Sequence, residues 1–268
     1  MTTKNNGVYY TPEALSEYMV RHSFGNLPTG QGLSILEPSC GDGVFINAIS
    51  NNLDDAQKKL HSLECIEIDQ KALTAAKTKS CKKFKQARFI NQDFLDFQAS
   101  KRKRYDLIIG NPPYVVRKRL TGKIIGKCKA VYQAADLNDQ YFRNLWGAFL
   151  VASIKLLSDK GVLAYVLPAE LLQVKFTEEL RNRLLKNFER VEIISFKNII
   201  FDDIEQDTIV LFCYKQHAEK GLFFGEKKDV ADLLESSVSF QGKNLKSIAN
   251  VKWTSHFLTE EELNLLSF

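Results

Sequence analysis

Short runs of apolar residues alternate along the chain with longer segments in which apolar residues recur every three or four positions. The runs predict buried strands, and the recurring pattern predicts helices. The predicted strands are Leu33–Glu37, His61–Ile68, Ala87–Asn91, Tyr105–Gly110, Gly161–Leu167, Val191–Phe196 and Thr208–Tyr214. The predicted helices are Val44–Leu53, Gln70–Lys79, Asp139–Leu157 and Thr177–Asn187. This alternation is typical of an α/β fold, here a mostly parallel seven-stranded sheet with helices on both faces.

The pattern weakens after residue 215. Residues 220–229 are charged and contain glycine, and the segments beyond them show only short helical fragments, such as residues 260–266. We therefore predict one main domain over residues 1–215. Residues 216–268 are interpreted as a connector that could lead into a further domain.

Composition indicates an ordinary soluble globular protein, since 44% of the residues are hydrophobic and 26% are charged. No apolar run approaches the roughly 18 residues of a membrane helix, and residues 1–10 lack the apolar core of a signal peptide. We therefore expect a cytoplasmic protein that does not contact membranes. The odd number of cysteines, widely spaced and without a Cys-x-x-Cys pair, favours reduced thiols. Neither the cysteines nor the four histidines show metal-ligand spacing, so no metal site is predicted.

Net charge is +5, and its distribution is more informative than its size. Ten cations fall in one stretch with a single acid, Asp106, among them. They are Lys101, Arg102, Lys103, Arg104, Arg117, Lys118, Arg119, Lys123, Lys127 and Lys129. Such a cluster suits the phosphate backbone of a nucleic acid, although a solvated basic surface would look the same in sequence.

A glycine-containing turn follows the first predicted strand, over residues 35–43. Glycines let the backbone approach a ligand at the start of the next helix. Glu67 ends the second strand, 24 residues after Gly43, where a carboxylate can accept hydrogen bonds from ribose hydroxyls. Each feature also has an interpretation without a ligand. The glycine turn could be an ordinary strand-to-helix turn, and Glu67 could be a solvent-facing residue at a strand end. Together they indicate a ligand of the adenosine type.

Asp93 and Phe94 follow the third strand. A carboxylate in that place can accept from an adenine amino group, and the adjacent aromatic ring can pack on the base. Aspartate is also common at strand ends as ordinary turn chemistry, so this motif alone is weak.

Asn111, Pro112, Pro113 and Tyr114 follow the fourth strand and form the most specific motif. Two prolines stiffen the loop and push the preceding residue into an extended conformation. The loop then offers two acceptors, the Asn111 side-chain oxygen and the Pro112 carbonyl, which can converge on one amino group. Tyr114 offers a flat face on which a base can stack. The plain alternative is an Asn-Pro turn with a core tyrosine.

These motifs, in this order, resemble the γ-class amino-methyltransferases of bacterial restriction–modification systems. In that class a segment like Gly7–Pro12 precedes the glycine turn, and methyl passes from S-adenosylmethionine to adenine N6 in double-stranded DNA. The resemblance covers about residues 7–215 and implies a Rossmann-like methyltransferase fold. It implies catalytic roles for Asn111, Pro112, Tyr114 and Phe201, with Tyr114 and Phe201 packing on a flipped base. It implies cofactor contacts from Tyr10, Thr11, Glu37, Pro38, Cys40, Gly41, Gly43, Glu67, Ile68, Asp93, Phe94, Asn111, Pro113 and Phe149.

One departure from the family concerns target recognition. Its members normally carry a large C-terminal target-recognition domain, whereas about fifty residues follow position 215 here. Either that domain is shortened or missing, or recognition lies on a separate polypeptide.

Three alternatives remain open. Loops of this kind also occur in enzymes that methylate a glutamine of translation release factors or an amino group of ribosomal RNA. The Gly7–Pro12 segment and the Phe201 region favour DNA over both. The third alternative is a non-catalytic subunit that binds DNA, against which the complete Asn111–Tyr114 loop argues. No cluster of paired carboxylates and lysine outside these motifs indicates a fused nuclease.

Overall fold

The computed structural model describes residues 11–28, 32–53, 59–80, 87–198, 207–243 and Trp253. Its strands are β1 (Gly32–Glu37), β2 (Lys59–Glu67), β3 (Ala87–Asn91), β4 (Tyr105–Gly110), β5 (Leu157–Pro168), β6 (Arg190–Phe196), β7 (Thr208–Tyr214), β8 (Gly221–Lys227) and β9 (Gln241–Lys243). Its α-helices are α1 (Glu13–Gly25), α2 (Val44–Asn52), α3 (Gln70–Ser80), α4 (Phe94–Ser100), α5 (Gly122–Gln133), α6 (Leu145–Leu156), α7 (Glu170–Gln173), α8 (Glu178–Asn187) and α9 (Val230–Glu235). Short 3-10 helices cover Arg117–Arg119, Asp139–Tyr141 and Lys175–Thr177.

All of these strands lie in one sheet, in the order β3-β2-β1-β4-β5-β7-β6-β8-β9. Strands β1 to β5 are mutually parallel where they pair, and β7 runs antiparallel to both β5 and β6. The predicted α/β class and mostly parallel sheet are confirmed. Because β1 to β4 are parallel, their carboxyl ends lie at one edge of the sheet, where ligands bind in folds of this type.

The expectation of seven strands is wrong by two, because the sheet continues beyond residue 215. Strand β8 pairs parallel to β6, and β9 pairs antiparallel to β8. The segment 216–243, interpreted from sequence as a connector, therefore includes two strands of the same sheet. Its apolar run is short and lies between glycines and charged residues, which concealed the strand.

Helix α6 is shorter than the predicted helix 139–157. Residues 139–141 form a separate 3-10 turn, and Asn144 pairs with Val116 in an isolated antiparallel bridge before α6 begins. Ten of its twelve residues are buried, including Trp146 and Phe149. Helix α6 is therefore a core helix, apolar on all sides. In the described parts of the chain, no helix combines the length and apolarity needed to cross a membrane.

Helix α1 packs against α2 near the start of the sheet and against α9 near its far end. Its His22 ring lies 6.0 Å from the ring of Phe240, centroid to centroid. His22 Nε2 also lies 2.7 Å from Oε2 of Glu192, a strand β6 residue that is only 3% exposed. Helix α1 is thus tied to the sheet through a buried carboxylate.

Two further donors complete the hydrogen bonding of Glu192. Arg190 Nε donates to its Oε1 at 2.6 Å, and the Tyr214 hydroxyl donates to its Oε2 at 2.9 Å. Arg190 is itself buried, and its Nη1 reaches Oε2 of Glu219, an exposed residue, at 2.8 Å. Buried charges need partners of this kind, so the cluster stabilises the fold only while it is complete.

Candidate functional site

A cavity of about 510 Å³ opens at the carboxyl ends of β1 to β4. Its volume lies within the roughly 300–1,000 Å³ of small-molecule sites. It brings together thirteen of the residues singled out from the sequence. They are Thr11, Glu37, Pro38, Cys40, Gly41, Glu67, Ile68, Asp93, Phe94, Asn111, Pro112, Pro113 and Phe149.

The remaining predicted site residues are Tyr10, Phe201, Tyr114 and Gly43. Tyr10 and Phe201 lie outside the described residues. Tyr114 is buried, with 8% of its surface exposed, and is not among the lining residues. Gly43 begins α2 with a φ of 94°, and a Cβ there would lie 3.1 Å from the Cβ of Ala76. A side chain at Gly43 would therefore be strained and would press α2 away from α3, so the glycine shapes the turn without lining the cavity.

The glycine turn and the end of β2 form one hydrogen-bonded unit. The Cys40 amide donates to the Ile66 carbonyl at 2.9 Å, and the Gly41 amide donates to Oε2 of Glu67 at 2.9 Å. Burial raises the pKa of the Cys40 thiol, and the charges of Glu37 and Glu67 raise it further. The thiol therefore stays protonated, which removes the thiolate that a nucleophilic role would need.

Glu37 presents a carboxyl group to the cavity from the end of β1. It is 1% exposed, and its Oε2 has no hydrogen-bond partner among the described residues. Burial, and then the charges of Glu67 and Asp42, raise the pKa of Glu37 well above its ordinary value. A buried oxygen without a partner at a cavity wall is suited to a donor group on a ligand.

Glu67 and Ile68 lie side by side at the end of β2. Oε1 of Glu67 accepts from the Asp69 amide at 2.9 Å, so each carboxylate oxygen holds a backbone amide and keeps lone pairs for a ligand. Ile68 is 68% exposed, an unusual state for a large apolar side chain. An acceptor beside an exposed apolar surface matches a ribose with its attached base.

Asp93 lies at the start of α4. Its Oδ1 accepts from the Leu95 amide at 2.9 Å, and its Oδ2 accepts from Lys127 Nζ at 2.6 Å. Phe94 packs against Phe149 of α6, with ring centroids 4.8 Å apart. The carboxylate and the aromatic pair therefore form one wall of the cavity.

Asn111 is held between two segments that are distant in sequence. Its Nδ2 donates to the Thr11 hydroxyl at 3.3 Å, and the Ser39 hydroxyl donates to its backbone carbonyl at 3.2 Å. The Leu145 amide donates to the Val115 carbonyl at 2.9 Å, which attaches the other end of the loop to the start of α6. Hydrogen bonds thus fix both ends of the loop, and the two prolines stiffen its interior.

Several lining residues were not predicted. Ser39, Arg119, Leu120, Ile124 and Leu145 all face the cavity. Ile124 lies in the first turn of α5, and Leu120 precedes that helix. The glycines and lysines of α5 concealed it, and no helix was predicted there.

The basic stretch divides between the two ends of β4. Residues 101–104 precede this strand, at the end remote from Asn111. Lys101 and Lys103 there lie 2.8 and 3.4 Å from oxygens of the buried Glu64. These lysines therefore do not join the cations beside the loop in one continuous cluster, because they lie at the other end of β4 and pair with a distant acid.

Beside the cavity, two lysines of the basic stretch also form ion pairs with aspartates. Lys127 binds Asp93 and Asp96, and Lys129 lies 3.6 Å from Asp139. Four cations near the loop make no ion pair with any residue in the described ranges. They are Arg117, Lys118, Arg119 and Lys123.

Acids outnumber cations around the cavity. Five carboxyl groups and one guanidinium line it; they belong to Glu37, Asp42, Glu67, Asp69, Asp93 and Arg119. The excess of negative charge is small, because Lys79 pairs with Asp42, Lys127 pairs with Asp93, and the raised pKa of Glu37 favours its neutral form. The remaining excess favours a ligand with positive charge. Within the described residues, no group of three or more His, Cys, Asp or Glu side chains could hold a metal ion.

Known proteins with related sequences are methylases. The chain is 26% identical over 278 residues to the type II methyltransferase M.AccI of Acinetobacter calcoaceticus, covering 97% of this chain and 49% of that protein. It is 29% identical over 194 residues to the modification methylase CviBIII of Paramecium bursaria Chlorella virus NC1A, covering 71% of this chain and 44% of the relative. The chain therefore spans about half of the length of these relatives or less.

The fold is also that of a solved structure, a DrdV–DNA complex, with a TM-score of 0.71 and 19% identity over 90% of this chain and 30% of that one. The family model of the Eco57I restriction-modification methylase matches residues 21–201, more than half of the chain. The match confirms the resemblance to restriction–modification methylases drawn from the motifs. The chain belongs to the Eco57I restriction-modification methylase family.

Proposed function

We propose that this chain carries the catalytic part of a site-specific DNA methyltransferase, which transfers methyl from S-adenosylmethionine to adenine N6 in a restriction–modification system. One observation supports this most directly. The Asn111 amide lies at the carboxyl end of β4, anchored by Thr11, at the edge of a cavity with nucleoside-binding features. A hydrogen-bond acceptor in this position can hold an amino group, which would then receive the methyl group.

The residues of the cavity fit the proposed methyl donor. Its sulfonium and ammonium charges match the excess of carboxyl groups, and Glu37 Oε2, which has no hydrogen-bond partner among the described residues, is an acceptor for a donor group. Glu67 would bind the ribose hydroxyls. Asp93 and Phe94 would contact the adenine edge, and Ile68 and Phe149 would pack on its faces. When bound, S-adenosylmethionine supplies an electrophilic methyl group.

On this proposal the loop orients the acceptor. The Asn111 side-chain oxygen and the Pro112 carbonyl accept from the two N–H bonds of an adenine amino group, which fixes the direction of the nitrogen lone pair. Orientation of this kind accounts for much of the rate enhancement when two reactants must meet in one geometry. The adenine must leave the duplex to reach the loop, at a cost of roughly a few kcal/mol. Stacking by Tyr114 and Phe201, as the family resemblance implies, would offset that cost.

The cations near the loop are proposed to contact the DNA backbone. A double variant, Lys118→Ala with Lys123→Ala, is expected to weaken duplex binding on the order of tenfold and to reduce the slope of log affinity against log salt by about two. Both side chains are exposed. Fluorescence anisotropy of a labelled duplex across a salt series measures both quantities.

A matched control for this variant lies at the opposite end of β4. Arg102→Ala with Arg104→Ala removes the same charge from exposed positions at the remote end of the strand. The slope should stay at its original value. Equal losses in the two double variants would show that net charge alone matters and would contradict the assignment.

The methyl acceptor is tested by offering three substrates in parallel with tritiated S-adenosylmethionine. They are genomic DNA lacking adenine methylation, ribosomal RNA and a release factor. We expect incorporation into DNA, recovered as N6-methyladenine after digestion to nucleosides. Label in RNA or in the release factor alone would replace the proposal with one of the alternatives.

Target recognition is proposed to come from polypeptide outside the described catalytic sheet, either further sequence or a separate subunit. The same assay, run with and without a candidate partner protein, separates the two. Stimulation by the partner supports recognition in trans. Cofactor binding without transfer under every condition would instead favour a non-catalytic DNA-binding subunit.

A further inference from the structure

Lys127 lies between two cavities that share one wall. Its Nζ is 2.6 Å from Oδ2 of Asp93 and 2.7 Å from Oδ2 of Asp96. It does not line the proposed cofactor cavity. It lines a second cavity of about 630 Å³ that lies among residues of α4, α5 and α6. Lys127 therefore reaches Asp93 from the side away from the proposed cofactor.

The contact fixes the orientation of the Asp93 carboxylate. The Leu95 amide holds Oδ1 and the Lys127 ammonium holds Oδ2, so neither oxygen can turn without losing a hydrogen bond. The Lys127 side chain is 19% exposed and that of Asp93 is 17% exposed, so water screens the pair only in part. An ion pair of this kind is stronger than a fully exposed one.

Removing the ammonium would leave two carboxylates, Asp93 and Asp96, without the cation that bridges them. Four other carboxyl groups line the same cavity as Asp93 and add to the repulsion around it. The Asp93 side chain could then relieve the repulsion by turning toward water. That turn changes what the carboxyl group offers to a ligand in the cavity.

We infer that Lys127 is a positioning residue that makes the site select a 6-aminopurine over a 6-oxopurine in the methyl donor. The inference rests on the proposed function, because Asp93 must face the purine edge of the donor. A fixed carboxylate accepts a hydrogen bond from a 6-amino group. It repels a 6-oxo group, which is itself an acceptor. A carboxyl group that has turned away no longer distinguishes the two.

The test measures binding, without DNA and without turnover. Isothermal titration calorimetry gives the dissociation constants of the full chain for S-adenosylhomocysteine and for its 6-oxo counterpart, S-inosylhomocysteine. The wild-type protein is expected to prefer the amino compound by at least about tenfold, the usual effect of one hydrogen bond to a charged group. Lys127→Met should reduce that ratio to near one, and Lys127→Arg should retain it.

Lys129→Met is the matched control. Lys129 lies on the same helix and pairs with Asp139, and it lines neither cavity. The control should keep the wild-type ratio. If circular dichroism shows that Lys127→Met does not fold, Lys127→Gln replaces it. This variant is also expected to lower the preference for the amino compound.

Two outcomes overturn the inference. In one, Lys127→Met and Lys127→Gln keep the wild-type ratio. In the other, they weaken both ligands by the same factor, which would mean that Lys127 only supports the packing of α5. A wild-type protein that binds neither compound would contradict the proposed function itself, and it is distinguishable because it appears before any variant is compared.

Discussion

Asn111→Ala is expected to slow methyl transfer to adenine in DNA by roughly a thousandfold, while the affinity for S-adenosylhomocysteine changes little. The substitution removes the proposed side-chain acceptor for the adenine amino group and the hydrogen bond to the Thr11 hydroxyl. The carboxyl groups that would hold the cofactor, at Glu37 and Glu67, are untouched. Single-turnover transfer of tritiated methyl measures the rate, and calorimetric titration measures cofactor affinity.

Asn26→Ala serves as the control for this variant. Asn26 is exposed after the end of α1, and its side chain donates to the His22 carbonyl. It should retain the wild-type rate. Transfer at the wild-type rate by Asn111→Ala would mean that the loop does not orient the acceptor, and the proposed mechanism would be abandoned.

Glu192→Gln is expected to lower the free energy of unfolding by roughly 3 kcal/mol or more at neutral pH. The substitution leaves the buried guanidinium of Arg190 with an exposed partner alone, Glu219, whose side chain is 72% exposed. Urea denaturation measures the loss. Glu219→Gln removes the other carboxylate from the same arginine and should cost less than about 1 kcal/mol, because an exposed pair is weak. Equal losses for the two variants would contradict the claim that burial sets the difference.

The effect of Glu192→Gln should also depend on pH. Burial by itself raises the pKa of Glu192, but the hydrogen bonds from His22 and Arg190 outweigh it and leave the pKa below its ordinary value of 4.5. A carboxyl group with a depressed pKa stabilises the fold above its unfolded-state pKa and loses that contribution as the pH falls through its folded-state pKa. The gap between wild type and variant should therefore be full at neutral pH and narrow below about pH 4.5. If the difference in unfolding free energy between wild type and variant widened in acid, the pKa of Glu192 would not be depressed in the folded protein.

The part of the site that was predictable from sequence follows from the topology. Glu37, Glu67, Asp93 and Asn111 each end a strand or directly follow one, and parallel strands place such residues at one edge. Their gathering around one cavity required only the order of strands and turns. The same local reasoning identified most of the sheet, because the runs in β1, β4 and β7 are apolar and compact.

What escaped prediction depends on contacts between distant segments. The pairing of Lys101 and Lys103 with Glu64, and of Lys127 with Asp93, cannot be read from charges counted along the chain. Strand β8 pairs along its whole length with β6, about thirty residues earlier in the sequence, and its own apolar pattern does not indicate this pairing. Charges counted along the sequence therefore overestimated the number of unpaired cations. Apolar runs alone underestimated the number of strands in the sheet.

Helix α1 precedes every strand in sequence, yet it packs against α9, and its His22 ring lies near Phe240, just before β9. The link from Thr11 to Asn111 and the link from His22 to Glu192 are both made through space, and neither requires α1 to come first. A circularly permuted chain, in which α1 follows the last strand through a short linker, could make the same contacts. The contacts of α1 therefore do not depend on its position ahead of the described strands in the chain.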